Sequence, residues 1–146
     1  MRETVFVAMS GGVDSSAAAF LLLEKGYNVC GITMNLWSGE LSGPSAVDDA
    51  RKVAGLLGIP HYICDLHDVF QKNVIDYFCR EYLVGRTPNP CVVCNKTIKF
   101  RALFNRACEL GADYLATGHY VRVNYDGERR RWVLKKGIDT KKDQSY

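Results

Sequence analysis

Two short stretches of this chain carry residue types at spacings that support chemistry. The first is Ser10-Gly11-Gly12-Val13-Asp14-Ser15-Ser16, which joins an apolar run to a helical pattern. Its glycines let the backbone approach a ligand closely, and a helix starting there aims free N–H groups at phosphate. Three serine hydroxyls add donors, and Asp14 suits either a magnesium ion bridging phosphates or a helix cap. No Gly-Lys-Ser/Thr follows, so this is not a Walker loop. The second stretch runs from Gly85 to Asn95 and holds Cys91 and Cys94. Pro88 and Pro90 predict a stiff, irregular loop that presents both thiols. Lys96, Lys99 and Arg101, with a helix expected from about Thr97, favour the thiolate of Cys94 and hence a nucleophile. A Cys-x-x-Cys alone also fits half of a zinc site, a redox pair, two ligands of an iron–sulfur cluster, or an inert pair. No second Cys-x-x-Cys and no His-x-x-x-His pair follows, which weighs against structural zinc.

These residues need elements to position them. Thr4–Met9 reads as a buried strand, and a helix follows over about Asp14–Lys25, closed by Gly26. Asn28–Met34 and His61–Asp65 read as further strands, with a helix between them. Pro44 and Ser45 introduce that helix, and Ser45 with Asp48 resembles a capping pair. The apolar period predicts helices over about Asp68–Leu83 and Thr97–Leu110, then a strand over Asp113–Thr117. Val121–Tyr125 and Arg131–Lys135 flank Asp126-Gly127 and predict a β-hairpin. The fold class that follows is α/β, a Rossmann-like, doubly wound parallel sheet with a C-terminal β-hairpin. Ligands of such sheets bind beyond the strand C-termini, where Ser10-Gly11-Gly12 and Gly118-His119 fall. His119 there is either an acid–base group or a structural histidine.

Composition sets the bounds. The chain has 146 residues, 47% apolar and 24% charged, within the ordinary range for one soluble domain. No apolar stretch approaches the ~18 residues that span a bilayer, and the first residues do not read as a signal peptide. A cytoplasmic protein without a membrane partner is the expectation. Cys30, Cys64, Cys79 and Cys108 lie in apolar-periodic segments and are expected to be buried small hydrophobes. Charge is uneven. Residues 1–126 hold twelve basic and thirteen acidic side chains, whereas residues 127–146 hold seven and three. Such a basic segment is either a solvated hairpin or a phosphate-facing surface.

The first stretch resembles the Ser-Gly-Gly-x-Asp-Ser loop of the ATP-pyrophosphatase superfamily. Thr-Pro-Asn-Pro-x-x-x-Cys-Asn, then Lys99-Phe100, then Ala116-Thr117-Gly118-His119-Tyr120 follow it in order, and Lys142-Asp143-Gln144-Ser145-Tyr146 closes the chain. This set is similar to the tRNA-specific 2-thiouridylase family. The resemblance implies an adenine nucleotide alpha hydrolase-like domain over residues 1–146, with residues 121–137 as a hairpin extension and later tRNA-binding domains absent. It implies that Ala8, Met9, Ser10, Gly11, Gly12, Val13, Asp14, Ser15 and Ser16 form the ATP loop, and that Met34 and Gly118 also contact ATP. Cys94 matches the family's loop nucleophile. Asn89, Pro90 and Cys91 match positions facing the target base, and Lys142, Asp143 and Gln144 match a tRNA-contacting segment.

The implied activity is ATP-dependent 2-thiolation of the wobble uridine of tRNA, by adenylation of the C2 oxygen and sulfur transfer from a persulfide. ATP, magnesium, tRNA and a persulfide donor protein (a cysteine desulfurase or relay) are the implied cofactors and partners; DNA is not among them. Cys91 departs from the pattern, because bacterial members often carry Asp there. With Cys94 it resembles iron–sulfur-dependent tRNA-thiolating proteins, so both cysteines are candidate ligands of a [4Fe-4S] cluster. The family's distal persulfide cysteine matches none of the six cysteines here, so the chain reads as an amino-terminal part. Rival readings are a related ATP-dependent ligase or amidotransferase acting on a small molecule, and an inactive nucleotide- or RNA-binding module.

Overall fold

The computed structural model describes residues 2–37 and 46–146. Strands β1 (Thr4–Ala8), β2 (Asn28–Asn35), β3 (His61–Asp65) and β4 (Tyr114–Thr117) form one parallel sheet in the order β3-β2-β1-β4. Helices α1 (Val13–Glu24) and α2 (Ala46–Leu57) follow β1 and β2. Helix α3 covers residues 67–83 and α4 residues 90–109, and each contains a π-helical stretch, Gln71–Ile75 and Asn95–Leu103. Strands β5 (Val121–Asp126) and β6 (Arg131–Lys136) form a separate antiparallel hairpin. No described helix is long and apolar enough to cross a membrane.

The alternation of apolar side chains along β1 explains why helices cover both faces of the sheet. Val5 and Val7 point to one side, into a core with Val29, Ala19, Ala50 and Ala54 of the α1–α2 layer. Phe6 points to the other, into a core with Ile32, Val74, Ile98, Leu103 and Ala107 of the α3–α4 layer. The chain steps outward from β1 to β3, then returns to the far side of β1 for β4. That reversal opens a crevice at the C-terminal ends of β1 and β4. The expected fold class and hairpin are observed.

Three local expectations change. The helix expected from Thr97 begins seven residues earlier, at Pro90. Asn89 caps it, its side-chain oxygen accepting the Val92 N–H at 3.2 Å. Proline at the first helical position lacks an N–H that would have no intrahelical partner there, so Pro90 starts the helix. Cys91 and Cys94 therefore sit on α4 rather than on a loop. Cys79 and Cys108 are exposed, although Cys30 and Cys64 are buried as expected. The inward positions of those helices belong to Val74, Leu103 and Ala107; Cys108 is about 100° around the helix from Ala107. The hairpin turn takes four residues, 127–130. The Asp126 carboxylate accepts the N–H groups of Glu128 and Arg129, and Arg130 closes it at φ 49°. Ser45 lies outside the described residues; Asp48, its expected capping partner, pairs with Arg51 at 3.2 Å.

Candidate functional site

The phosphate loop is built by short-range hydrogen bonds. Gly11 adopts φ 77°, open to glycine and strained for other residues. Gly12 precedes α1 in an extended conformation and no side chain caps the helix, leaving its first N–H groups available to an anion. The serines do not all face outward. Ser15 is buried, receives the Ser10 N–H and donates to the Gly12 carbonyl at 3.2 Å. Ser16 donates to the same carbonyl at 2.8 Å. These hydroxyls brace the loop. From below, the buried Thr33 hydroxyl donates to the Met9 carbonyl at 2.9 Å and lies 2.8 Å from His61 Nε2.

A cleft of about 210 Å³ opens over this loop. Ala8, Met9, Ser10, Asp14, Ser15, Met34 and Gly118 line it, so seven of the eleven expected ATP-contacting residues converge. Gly11, Gly12, Val13 and Ser16 complete the loop without lining the cleft. Gly118 lies so close to α1 that a Cβ there would stand 2.8 Å from Asp14 C and Ser15 N. Lys99, Thr117, His119 and Gln144 form the other wall.

Lys99 was legible as part of a motif and as a cation near Cys94, but not as a wall of the cleft. Its place in the cleft depends on the π-helical stretch, where the wider turn brings positions five apart, such as Cys94 and Lys99, nearly in line. Lys99 Nζ donates to His119 Nε2 at 3.5 Å, which leaves the proton on Nδ1, 2.7 Å from the Thr117 hydroxyl. Burial, and then the Lys99 charge, hold His119 below its ordinary value of 6.5. It is neutral at neutral pH and accepts the Lys99 hydrogen bond.

His61 is lowered too, by burial and by Arg51. Both histidines resist protonation when folded but take it up when unfolded, so their stabilisation holds above about pH 6.5 and is lost at lower pH. The melting temperature is expected to fall from pH 7 towards pH 5. A His61→Gln/His119→Gln variant should show a flatter profile, and an unchanged slope would contradict this assignment.

The cysteine pair stands apart from the cleft. Cys91 and Cys94 are three residues apart on α4, on one face. Burial pushes the Cys94 thiol above its ordinary value, Lys99 opposes that rise, and Cys91 adds to it. This overturns the expected thiolate: with the helix starting at Pro90, Cys94 lies past the first turn where the dipole acts. Alkylation of Cys94 at pH 7 should be slower than that of free cysteine, and Lys99→Met should slow it further. A reactivity midpoint below about pH 8 would show that the thiol is activated in the free protein. Among the described residues, no group of three His, Cys, Asp or Glu side chains is placed to hold a metal ion. Two thiols fall short of the three or four ligands a cluster needs.

Residues 142–144 have distinct positions. Lys142 Nζ stands 5.1 Å from the centre of the Tyr120 ring. The Asp143 carboxylate accepts the Gly137 N–H at 2.7 Å and the Ser145 hydroxyl at 2.9 Å, and the Gly137 bond leads in holding it below the usual carboxylate range. Gln144 reaches the cleft.

A parallel α/β sheet with an uncapped glycine-rich loop at its topological switch point defines a phosphate-binding α/β protein. Residues 3–146 match the family model described as tRNA methyl transferase HUP domain, and the chain belongs to that family. It is 50% identical to the tRNA-specific 2-thiouridylase MnmA of Acetivibrio thermocellus, over 99% of this chain and 43% of that one. The chain thus spans less than half the length of the curated relatives it matches. Among solved structures it is similar to a predicted subunit of tRNA methyltransferase from Methanocaldococcus jannaschii, at TM-score 0.59 and 26% identity, covering 80% of this chain and 52% of that one. It is also similar to the U34-tRNA thiolase NcsA from Methanococcus maripaludis with its [4Fe-4S] cluster, at TM-score 0.56 and 30% identity, covering 81% and 39%.

Proposed function

We propose that this chain is the ATP-binding and adenylating part of a tRNA 2-thiouridylase. The observation that carries the reading is the convergence, in one cleft, of the phosphate loop, Met34, Lys99 and Gln144 of the basic terminal segment. Triphosphate would lie over the Ser10–Ser16 loop, with adenosine against Met34 and Gly118. Asp14 would hold magnesium, whose charge offsets that building on the phosphates. RNA would lie along Lys142 and Gln144, and Asn89, Pro90 and Cys91 would face the target base. The seven basic side chains of residues 127–146 are all exposed, as a phosphate-facing surface requires.

The chemistry is a transfer of leaving-group ability. The uridine C2 oxygen attacks the α-phosphorus and pyrophosphate departs, its charge met by the loop N–H groups and by Lys99. A persulfide sulfur, delivered by a donor protein to a cysteine elsewhere in the whole protein, then attacks C2 and AMP leaves. Cys94 would then attack the inner sulfur of the cysteine that carried the persulfide, forming a disulfide with it and leaving the outer sulfur on C2. A thiol held protonated in the free chain stays unreactive until positive charge beside it, of which Lys99 supplies part, outweighs its burial. The described cysteines do not complete a cluster.

The test is pyrophosphate release from ATP and magnesium by this chain, with and without an anticodon stem-loop bearing uridine at the wobble position. Release that depends on the RNA supports the proposal. Release stimulated by small carboxylic acids and indifferent to RNA favours a small-molecule ligase. Binding of both ligands without release points to a binding module.

A further inference from the structure

Tyr120 connects the two halves of the cleft. Its hydroxyl donates to Asp14 Oδ1 at 2.6 Å, on the first turn of the helix that follows the phosphate loop. Its backbone is clasped by Gln144: the Tyr120 N–H donates to the Gln144 side-chain oxygen at 3.1 Å, and the Gln144 N–H donates to the Tyr120 carbonyl at 3.0 Å. The Tyr120 ring lies under the Lys142 ammonium. Gly137 is pressed against the same carbonyl, where a Cβ would stand 2.8 Å away, and its N–H is held by Asp143. A short, half-buried segment is thus tied, through one side chain and its backbone, to a carboxylate of the phosphate loop.

We infer that Tyr120 is a positioning residue that couples occupancy of the nucleotide cleft to occupancy of the 142–144 surface by RNA. The inference rests on the function proposed above. Its physical basis is shared ordering. A nucleotide that fixes Asp14 also fixes the Tyr120 hydroxyl, and through the clasp it fixes Gln144 and Lys142. RNA that engages those side chains then meets a segment already ordered, so the second ligand loses less conformational freedom than the first. Coupling of this kind is positive and reciprocal: each ligand tightens the other by the same factor.

The experiment is a pair of titrations on this chain with magnesium and the α,β-methylene analogue of ATP, which resists cleavage. Nucleotide affinity is measured with and without the anticodon stem-loop, and RNA affinity with and without nucleotide. The wild-type chain is expected to show the same factor of about fivefold or more in both directions. Tyr120→Phe keeps the ring under Lys142 and the backbone clasp but deletes the Asp14 bond, and should bring the factor close to one. A merely structural role would change stability or both affinities without touching that ratio. Amide exchange gives a second readout: nucleotide should slow exchange of the Gln144 N–H in the wild type and leave it unchanged in Tyr120→Phe. Independent binding in the wild type, or an undiminished factor in the variant, overturns the inference and leaves the proposed function standing. Failure of the wild-type chain to bind either ligand overturns both.

Discussion

Replacing Gly11 with alanine is expected to destabilise the chain by about 2–6 kcal/mol and to abolish nucleotide binding. Two independent costs combine at this position. A residue with a Cβ at φ 77° pays of order 1–3 kcal/mol for its left-handed backbone. The new methyl would also stand 2.5 Å from Asp49 Cβ and 2.9 Å from the Ala50 N, at the start of α2. Relieving that overlap means moving α2 away or pushing the loop into the cleft, and overpacking of this sort costs typically 1–3 kcal/mol. The Asp49 and Ala50 backbone cannot yield as a flexible side-chain end would, so the loop is displaced. Urea unfolding measures the first effect and nucleotide titration the second. A variant within 1 kcal/mol of wild type that still binds nucleotide would falsify the account of the loop. Gly12 makes the useful contrast, because a Cβ there meets nothing closer than the Ser10 hydroxyl at 3.4 Å. Gly12→Ala should fold nearly normally.

The second large effect is expected at Lys99. Lys99→Met keeps the length and apolar stem of the side chain while removing its charge from the cleft wall. The charge that grows on departing pyrophosphate then has the loop N–H groups but no cation from α4. A preorganised donor of this kind contributes about 10²–10³-fold in rate when tested by removal, and RNA-dependent pyrophosphate release should fall by that factor. Nucleotide affinity should fall far less, because the loop N–H groups still meet the phosphates of the ground state. His119→Asn is the companion variant. It removes the ring that receives the Lys99 proton at 3.5 Å, lets the ammonium wander, and should produce a smaller loss. Equal rates for Lys99→Met and wild type would remove Lys99 from the mechanism and leave the loop alone to stabilise the leaving group.

The convergence of these residues also bears on Cys91 and Cys94. They share a face of α4, and the electrostatic link between Cys94 and Lys99 runs along the same helix. A thiol raised by burial is quiet until water is readmitted or positive charge is added nearby. That positive charge comes from Lys99 rather than from RNA, whose phosphates would raise the thiol further.

Much of this molecule was legible in its residues. The unbroken apolar run of Val5, Phe6 and Val7, in a chain where strands alternate with helices, implied a parallel sheet covered on both faces. The phosphate loop was legible because its chemistry is contained within seven consecutive residues, and a strand-to-helix turn of that composition has few alternatives. Other features resisted the same reading. A start at Pro90 depends on Asn89 accepting one N–H, a small local contribution that the two prolines obscure when read as a loop signal. Cys79 and Cys108 carry the right side chains for a core but sit a fraction of a turn away from it.

What the sequence determined by itself, then, was local: which strands alternate, where the glycines admit a ligand, and which segment carries excess positive charge. The tertiary structure alone decided which distant residues share a cleft. Lys99 reaches it because a π-helical stretch turns its side chain towards His119. Tyr120 becomes a link because the connection after β4 lies against Asp14, 106 positions away in the chain. The same distinction governs Cys94: its neighbouring lysines are written in the sequence, but the burial that outweighs them exists only once α4 has packed on the sheet. Charge is carried by residues, whereas desolvation and proximity are properties of the packing around them.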